Sequence, residues 1–205
     1  MNTLNQKQNL EGKKKRSFFI FLISFFLEIV KAVVISLIIV IPVRYFLIQP
    51  FYVRGASMEP NFYDYEYLII DEISYRFNEP RRGEVIVFRN PLNSRQYFIK
   101  RTIALPGERI KIAEGEIIIF NQRYPKGKKL EENSYLPFID IQGTLGQIDM
   151  TLKDEEYFVL GDNRNSSLDS RSFGPVNRRD IIGKVWIRGW PFDRFKFFHA
   201  PIHDF

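Results

Sequence analysis

The stretch from Ser17 to Val43 is apolar over 27 residues and is interrupted by charge only at Glu28 and Lys31. Crossing roughly 30 Å of bilayer hydrocarbon takes about 20 apolar helical residues, so the stretch is long enough to span a membrane. A charge at the bilayer centre costs on the order of 2.5 to 3.5 kcal/mol. We therefore expect the transmembrane anchor at residues 29–48, which keeps both charges away from the centre.

Basic residues ahead of the apolar stretch predict its orientation. The cluster from Lys13 to Arg16 is of the kind that stays on the cytoplasmic side of a membrane. We therefore expect residues 1–28 to form a cytoplasmic basic arm with an interfacial segment, and residues 49–205 to be extracytoplasmic. A cleaved secretory signal is the alternative, but no A-x-A cleavage site follows the apolar stretch.

The charge distribution and the missing cysteines exclude several classes of function. The net charge of +6 would favour nucleic-acid binding, but residues 1–50 hold seven Lys and Arg against two acids, so the remainder is nearly neutral. We expect a lipid bilayer as partner and no nucleic acid. With no cysteine and two histidines, the chain lacks thiol nucleophiles and Cys-based zinc sites. We expect no metal and no cofactor.

Beyond residue 50 the sequence changes to short β-rich runs separated by Pro, Gly and Asn turns. This spacing predicts a mainly β protein in which the part of the chain beyond residue 50 is an all-β sandwich or folded barrel. The stretch 121–150 is more polar and has little periodicity, so we interpret it as a small inserted lobe. The predicted strands are residues 66–73, 83–89, 96–105, 108–112, 116–120, 156–160 and 181–188.

Ser57 is the first candidate for chemistry. Small residues precede it and Pro60 follows three positions later, so a turn could display the hydroxyl, although an ordinary turn serine fits the same pattern. A serine nucleophile needs a group that takes its proton. The two histidines, His199 and His203, lie within the last seven residues, where chains commonly fray.

Lys100 is the candidate base. Strand alternation interleaves this cation with apolar residues on whichever face is buried, although a lysine that protects an edge strand is the simpler interpretation. With a reference pKa near 10.4, only about one lysine in 2,500 is neutral at pH 7. Burial has to lower the pKa by about three units, at a cost of about 4 kcal/mol.

A third segment, residues 161–175, is crowded with groups that form local hydrogen bonds or charge pairs. It includes Asp162, Arg164, Asp169 and Arg171. A long solvated loop is the alternative interpretation, because such loops are usually polar.

These segments, in this order behind an N-terminal anchor, resemble bacterial type I signal peptidase. The resemblance implies a membrane-anchored serine endopeptidase that cleaves signal peptides after small residues at −1 and −3. Ser57 would be the nucleophile and Lys100 the general base, through an acyl-enzyme, with the oxyanion held by the Ser57 N–H. Gly55 stands where some members carry a hydroxyl, so a second side-chain oxyanion donor is in doubt. The motifs that carry the resemblance are Ser57-Met58-Glu59-Pro60, Gly83 to Phe88, Lys100 to Glu108, Gly161 to Arg164, Ser167, Asp169 to Arg171 and Gly174.

The resemblance also implies supporting residues, substrate contacts and partners. Ser167 would hydrogen-bond Lys100 and orient its amine. The partners would be the signal peptides of secretory preproteins, the bacterial plasma membrane and, as a candidate, the export translocon. The charged scaffold would be Arg101, Asp162, Asp169 and Arg171. The substrate-pocket candidates are Phe51, Val53, Met58, Phe62, Phe98 and Ile99.

Two other functions fit parts of the pattern. Self-cleaving repressor-type regulators resemble the same catalytic core, but they are soluble and bind DNA, which the apolar stretch and the near-neutral body argue against. A non-catalytic anchored β domain that binds peptides would fit the fold. The presence of both Ser57 and Lys100 argues against such a non-catalytic peptide-binding domain.

Overall fold

A computed structural model describes residues 21–41, 48–136 and 143–201. The chain divides into two compact units, Met1–Phe46 and Leu47–Phe205. In the first unit the described residues form helix α1 (Phe21–Ile41), which by length and composition can cross a membrane. All its side chains are exposed in the chain itself, which fits a helix whose surroundings are lipid.

The position of α1 differs from the span expected at residues 29–48. The helix begins eight residues earlier, and Ile48 is already the first residue of strand β1 (Ile48–Tyr52). Glu28 and Lys31 thus lie inside the helix, where opposite charges three residues apart are neighbours on one face. Residues 42–47 and the basic arm lie outside the described residues, and the orientation stays a prediction.

The second unit consists of two antiparallel sheets, as the β-rich runs predicted. Its strands and α-helices after β1 are β2 (Tyr67–Asp71), α2 (Ser74–Phe77), β3 (Val85–Asn90), β4 (Asn93–Ala104), β5 (Arg109–Ala113), β6 (Glu116–Phe120), β7 (Lys128–Lys129), β8 (Ile148–Thr151), β9 (Glu156–Leu160), α3 (Ser170–Phe173), β10 (Val176–Asn177), β11 (Ile181–Trp190) and β12 (Lys196–Phe197). The larger sheet has the strand order β1-β2-β11-β3-β4-β9-β10, with β12 paired to β11, and the smaller has the order β7-β6-β5-β8. Within the described residues neither sheet closes into a barrel.

The smaller sheet extends beyond the stretch 121–150, which the sequence analysis interpreted as an inserted lobe. Strands β5 and β6, expected in the main body, are its central pair, and the stretch 121–150 supplies the edge strands β7 and β8. Alternate residues of β5 and β6 are buried, because one face of a strand packs on the core. The buried face of β5 and β6 packs against the ends of β4 and β9, and together they form one apolar cluster. Its members are Ile103, Ala104, Ile110, Ile112, Ile117, Ile119, Leu130, Leu152, Phe158 and Leu160.

The larger sheet is covered on both faces at its centre. Strand β3 places Val85 and Val87 in one apolar cluster and Ile86 and Phe88 in another. This explains its uninterrupted apolar sequence, because alternation is lost when both faces are buried. The register pairs Ile86 with Lys100 of β4, so the fold places this lysine at the centre of the sheet.

Two buried threonines give a test of the hydrogen bonding inside the fold. Thr102 and Thr144 are 0% and 1% exposed. Thr144 Oγ1 accepts a hydrogen bond from Arg164, whereas Thr102 Oγ1 has no partner among the described residues. A buried polar group without a partner costs about 1–3 kcal/mol. We expect Thr102→Val to raise the free energy of unfolding by about 1 kcal/mol, and Thr144→Val to lower it by at least about 1 kcal/mol.

Urea unfolding of the full chain in detergent, followed by circular dichroism, measures both values. Equal destabilisation by the two substitutions would contradict the different hydrogen bonding of the two hydroxyls.

Candidate active site

Ser57 lies in the turn that connects β1 and β2, and this turn is held from several sides. The Asn163 N–H donates to the Ser57 carbonyl oxygen at 3.1 Å, and the Asn163 side-chain amide donates to Ala56 O at 3.1 Å. Gly55 has φ +87°, a conformation that glycine adopts without steric cost, and its N–H donates to Asp64 Oδ1 at 3.0 Å. The chain on both sides of the serine is therefore fixed.

Lys100 reaches Ser57 from strand β4. Its Nζ lies 2.8 Å from Ser57 Oγ and also donates to Ile99 O at 2.8 Å. The residue is 3% exposed, and the Phe98 ring centroid lies 5.3 Å from the amine. Serine and lysine, 43 positions apart in sequence, are thus brought within hydrogen-bond distance.

Burial sets the charge of this lysine. Removal from water lowers the pKa of Lys100 to about 8, against the opposing attraction of the Asp169 and Asp162 carboxylates. A sizeable fraction of the amine is therefore neutral at mildly alkaline pH and can accept a proton. The sequence argument required a pKa shift in this direction for a lysine base.

Arg101 and Asp162 form the first buried pair beneath the site. The guanidinium donates to both carboxylate oxygens, at 2.7 and 2.6 Å, and also to Gly83 O at 2.7 Å. Asn61 donates to the same carboxylate at 2.8 Å. Because β4 carries Lys100 and Arg101 consecutively, this pair ties the lysine strand to the segment after β9.

Asp169 and Arg171 form the second pair. Asp169 caps helix α3 by accepting from the Arg171 N–H at 3.2 Å, and the Arg171 guanidinium donates to both its oxygens at 2.9 Å. The Gly161 N–H donates to Asp169 Oδ2 at 3.1 Å. The structure thus brings the four predicted scaffold residues together in two pairs.

The expected hydrogen bond from Ser167 to Lys100 is not found. Ser167 Oγ is buried and has no hydrogen-bond partner within the described part of the chain. A Cβ on Gly161 would overlap this hydroxyl, so Ser167 packs on the Gly161 backbone. The Lys100 amine donates instead to Ile99 O, and the orienting role of Ser167 stays a prediction.

Four further residues contribute to the buried network: Asn61, Glu132, Tyr135 and Arg164. The sequence argument named only Arg164 among them, as a charged member of the segment 161–175. Arg164 donates to both oxygens of Glu132 at 2.7 and 2.5 Å, and Tyr135 OH donates to Glu132 at 2.5 Å. The Tyr135 ring lies 4.1 Å from the Arg101 guanidinium. Arg164 lies within the predicted motif Gly161 to Arg164, and Asn61 directly follows the motif that ends at Pro60. Nothing in the polar stretch 121–150 indicated Glu132.

A groove of about 560 Å³ opens beside the Ser57 and Lys100 side chains. Phe51, Val53, Phe98 and Ile99 line it, as expected of substrate-pocket residues. The other two candidates, Met58 and Phe62, are 1% and 0% exposed and belong to the core beneath the turn. The groove is also lined by Tyr52, Arg54, Gly55, Ala56, Leu68, Val87, Gln96, Tyr97, Ser166 and Leu168.

No group of three or more His, Asp or Glu residues is placed to hold a metal ion among residues 21–41, 48–136 and 143–201. His199 lines a second cavity, of about 340 Å³, together with Lys184 and Trp186. Neither Ser57 nor Lys100 lines that second cavity, and His199 does not line the groove beside them.

Comparison with known proteins identifies the family of the chain. A family model described as "Signal peptidase, peptidase S26" matches residues 26–190. The chain therefore belongs to the signal peptidase S26 family, which confirms the resemblance drawn from the sequence motifs.

Named relatives agree with the family. The chain is 37% identical to Probable signal peptidase I-2 of Synechocystis sp. over 82% of its own length and 75% of the relative's. It is 33% identical to Signal peptidase I P of Bacillus subtilis subsp. natto, over 82% and 90%. It is 30% identical to Signal peptidase IB of Staphylococcus aureus, over 85% and 95%.

Among solved structures, a signal peptidase I from Enterococcus faecalis is 30% identical. It aligns with a TM-score of 0.44 over 53% of this chain and 97% of that chain.

The burial of Lys100 predicts a pH-dependent effect of replacing it. Below pH 8 the lysine is protonated in both the folded and the unfolded chain, and the folded chain bears the cost of burying the charge. The difference between the ordinary pKa of 10.5 and about 8 corresponds to roughly 3 kcal/mol. We expect Lys100→Met to stabilise the protein by up to this amount at pH 7, with the gain vanishing near pH 10.5.

Denaturant unfolding at pH 7 and pH 10.5 measures this gain, with Lys153→Met as the control because the Lys153 side chain is 84% exposed. The same gain at both pH values would contradict a lowered pKa for Lys100.

Proposed function

We propose that this protein is a membrane-anchored serine endopeptidase that removes N-terminal signal peptides from exported preproteins by a Ser57–Lys100 mechanism. The observation that carries the proposal is the 2.8 Å separation of Ser57 Oγ and the buried Lys100 Nζ. A nucleophile and a base within hydrogen-bond reach are the geometric requirement for this chemistry. Membership of the signal peptidase S26 family supplies the substrate class.

In the proposed reaction Ser57 Oγ attacks the carbonyl carbon of the scissile peptide bond while Lys100 takes the hydroxyl proton. The resulting ammonium protonates the leaving amine, and the amino-terminal part of the substrate remains as an ester on Ser57. Lys100, again neutral, then takes a proton from a water molecule whose oxygen attacks the ester carbonyl, and it returns this proton to Ser57 Oγ as the bond between the acyl group and Oγ breaks. The Ser57 N–H is the proposed oxyanion donor. Residue 55 is a glycine, so it has no side chain that could donate a second hydrogen bond to the oxyanion.

The groove supports binding of an extended peptide. Strand β1 is an edge of the larger sheet, and β9 pairs with β4 only from Arg101 onward. Backbone groups of β1 and of β4 before Arg101 therefore border the groove and can pair with a substrate strand. Bulky apolar side chains such as Phe51 and Phe98 line the groove, and we propose that they limit the room for substrate side chains to small residues at −1 and −3.

The apolar helix α1 supports the proposed location. It fits a membrane anchor by length and composition, and the basic cluster from Lys13 to Arg16 favours a cytoplasmic N-terminus. We propose a single-pass protein of the bacterial plasma membrane whose catalytic domain is extracytoplasmic. Substrates would be translocated preproteins, with the export translocon as a candidate neighbour.

Cleavage of a purified preprotein with an A-x-A site tests the activity and the nucleophile together. The full chain in detergent micelles should cut directly after the second alanine, and Ser57→Ala should reduce the rate by at least about a thousandfold, as the loss of a nucleophile does. Product mass locates the cut. Activity that survives in Ser57→Ala would reject the nucleophile, and no cut by wild type would favour a peptide-binding role.

The pH dependence of cleavage tests the base. Because Lys100 must be neutral and its pKa is lowered to about 8, kcat/KM should fall about tenfold per pH unit below pH 8 and level off above it. Lys100→Arg should be inactive at every pH, because a guanidinium does not release its proton in proteins. The control Lys153→Arg should keep the wild-type profile. A flat profile, or substantial activity of Lys100→Arg, would reject the lysine base.

A further inference from the structure

The inserted lobe reaches the back of the active site at Arg164. Glu132, which follows β7, and Thr144, which precedes β8, both accept hydrogen bonds from the Arg164 guanidinium. The side chains of Arg164 and Glu132 are 4% and 5% exposed. Two points of the lobe thus hold one buried arginine of the segment that follows β9.

Arg164 passes this restraint to the serine. Its Nε donates to Gly161 O at 3.0 Å. Gly161 packs so closely on the serine turn that a Cβ there would overlap Ser57 O. The Asn163 N–H donates to that same carbonyl oxygen at 3.1 Å. The backbone of residues 161–163 therefore sets where the Ser57 carbonyl lies, and with it the adjoining peptide.

Glu132 also acts on the lysine side of the site. It accepts the Tyr135 hydroxyl at 2.5 Å, and the Tyr135 ring lies under the Arg101 guanidinium at 4.1 Å. Arg101 follows Lys100 in β4 and pairs with Asp162. The Glu132 carboxylate therefore binds both Arg164 and Tyr135. Arg164 leads to the serine turn, and Tyr135 leads to the strand that carries Lys100.

We propose that Glu132 is a positioning residue for Ser57, acting through Arg164 and Gly161. The inference rests on the proposed function, because the position of Ser57 affects a rate only if Ser57 is the nucleophile. Glu132 does not line the groove, so its replacement should alter the chemical step rather than substrate binding. Misplacement of a reacting group by about 1 Å can cost about a hundredfold in rate.

Glu132→Gln is the first variant, because the amide keeps the size of the carboxyl group and loses its charge. The matched control is Glu108→Gln. Glu108 pairs with Arg82 at 2.5 Å, and these side chains are 9% and 6% exposed. Both variants leave a buried arginine without its carboxylate, which is strongly destabilising in either place. Within the described residues Glu108 makes no hydrogen bond to the segment 161–164 or to the serine turn.

Cleavage of an A-x-A peptide by the full chain in detergent measures kcat and KM. For Glu132→Gln we expect kcat to fall at least tenfold with KM within twofold of wild type. For Glu108→Gln we expect both constants within twofold, at a comparable loss of stability in urea. Equal kcat in the two variants would overturn the positioning role.

A double variant separates position from stability if Glu132→Gln folds poorly. Glu132→Met with Arg164→Met replaces the buried ion pair by apolar side chains, which commonly restores stability. Gly161 O nevertheless loses its donor, so kcat should stay at least tenfold low. A kcat that recovers together with stability would overturn the proposal.

Amide hydrogen exchange separates this proposal from the proposed function. The Asn163 N–H, which binds Ser57 O, should exchange at least tenfold faster in Glu132→Gln than in Glu108→Gln at matched global stability. This readout needs no catalysis, so it remains decisive if wild type shows no Ser57-dependent cleavage, a result that would reject the proposed function alone. Equal Asn163 exchange in the two variants would overturn the positioning role.

Discussion

The burial of one amine beside one hydroxyl is the constraint on which the rest of the structure depends. Lys100 is 3% exposed and its Nζ lies 2.8 Å from Ser57 Oγ. Desolvation disfavours the charged amine, and this effect brings its pKa down to about 8. The fold has to supply that free energy, and it does so by placing the lysine opposite Ile86 in a sheet that is covered on both faces.

The charged groups around the lysine limit how far burial lowers the pKa of Lys100. The carboxylates of Asp162 and Asp169 attract the ammonium and oppose desolvation, but each is engaged by its own arginine, Arg101 or Arg171. Pairing reduces the attraction that an isolated carboxylate would exert on the amine. The two ion pairs therefore fix the geometry of the site without holding the lysine permanently protonated.

Much of the fold could be predicted from local patterns. The strands at residues 116–120 and 156–160 were predicted with the observed bounds, because alternation and Pro, Gly and Asn turns mark strand ends. An apolar helix was predicted, but α1 begins eight residues before the expected span, since an apolar stretch longer than one crossing does not define its own register. Membership of residues 109–120 in the smaller sheet was missed, because strand pairing depends on contacts between segments distant in sequence.

The sequence by itself determined the chemistry available to this protein: a candidate serine and lysine, no thiol, and two arginines and two aspartates in recognisable motifs. It also determined that an apolar helix precedes a β domain, because periodicity and length are local properties. Only the tertiary structure decided that Ser167 packs on Gly161 instead of binding Lys100. It also brought Glu132 to Arg164. Burial and hydrogen-bond partners of this kind depend on how the folded segments pack against one another, which no local sequence pattern encodes.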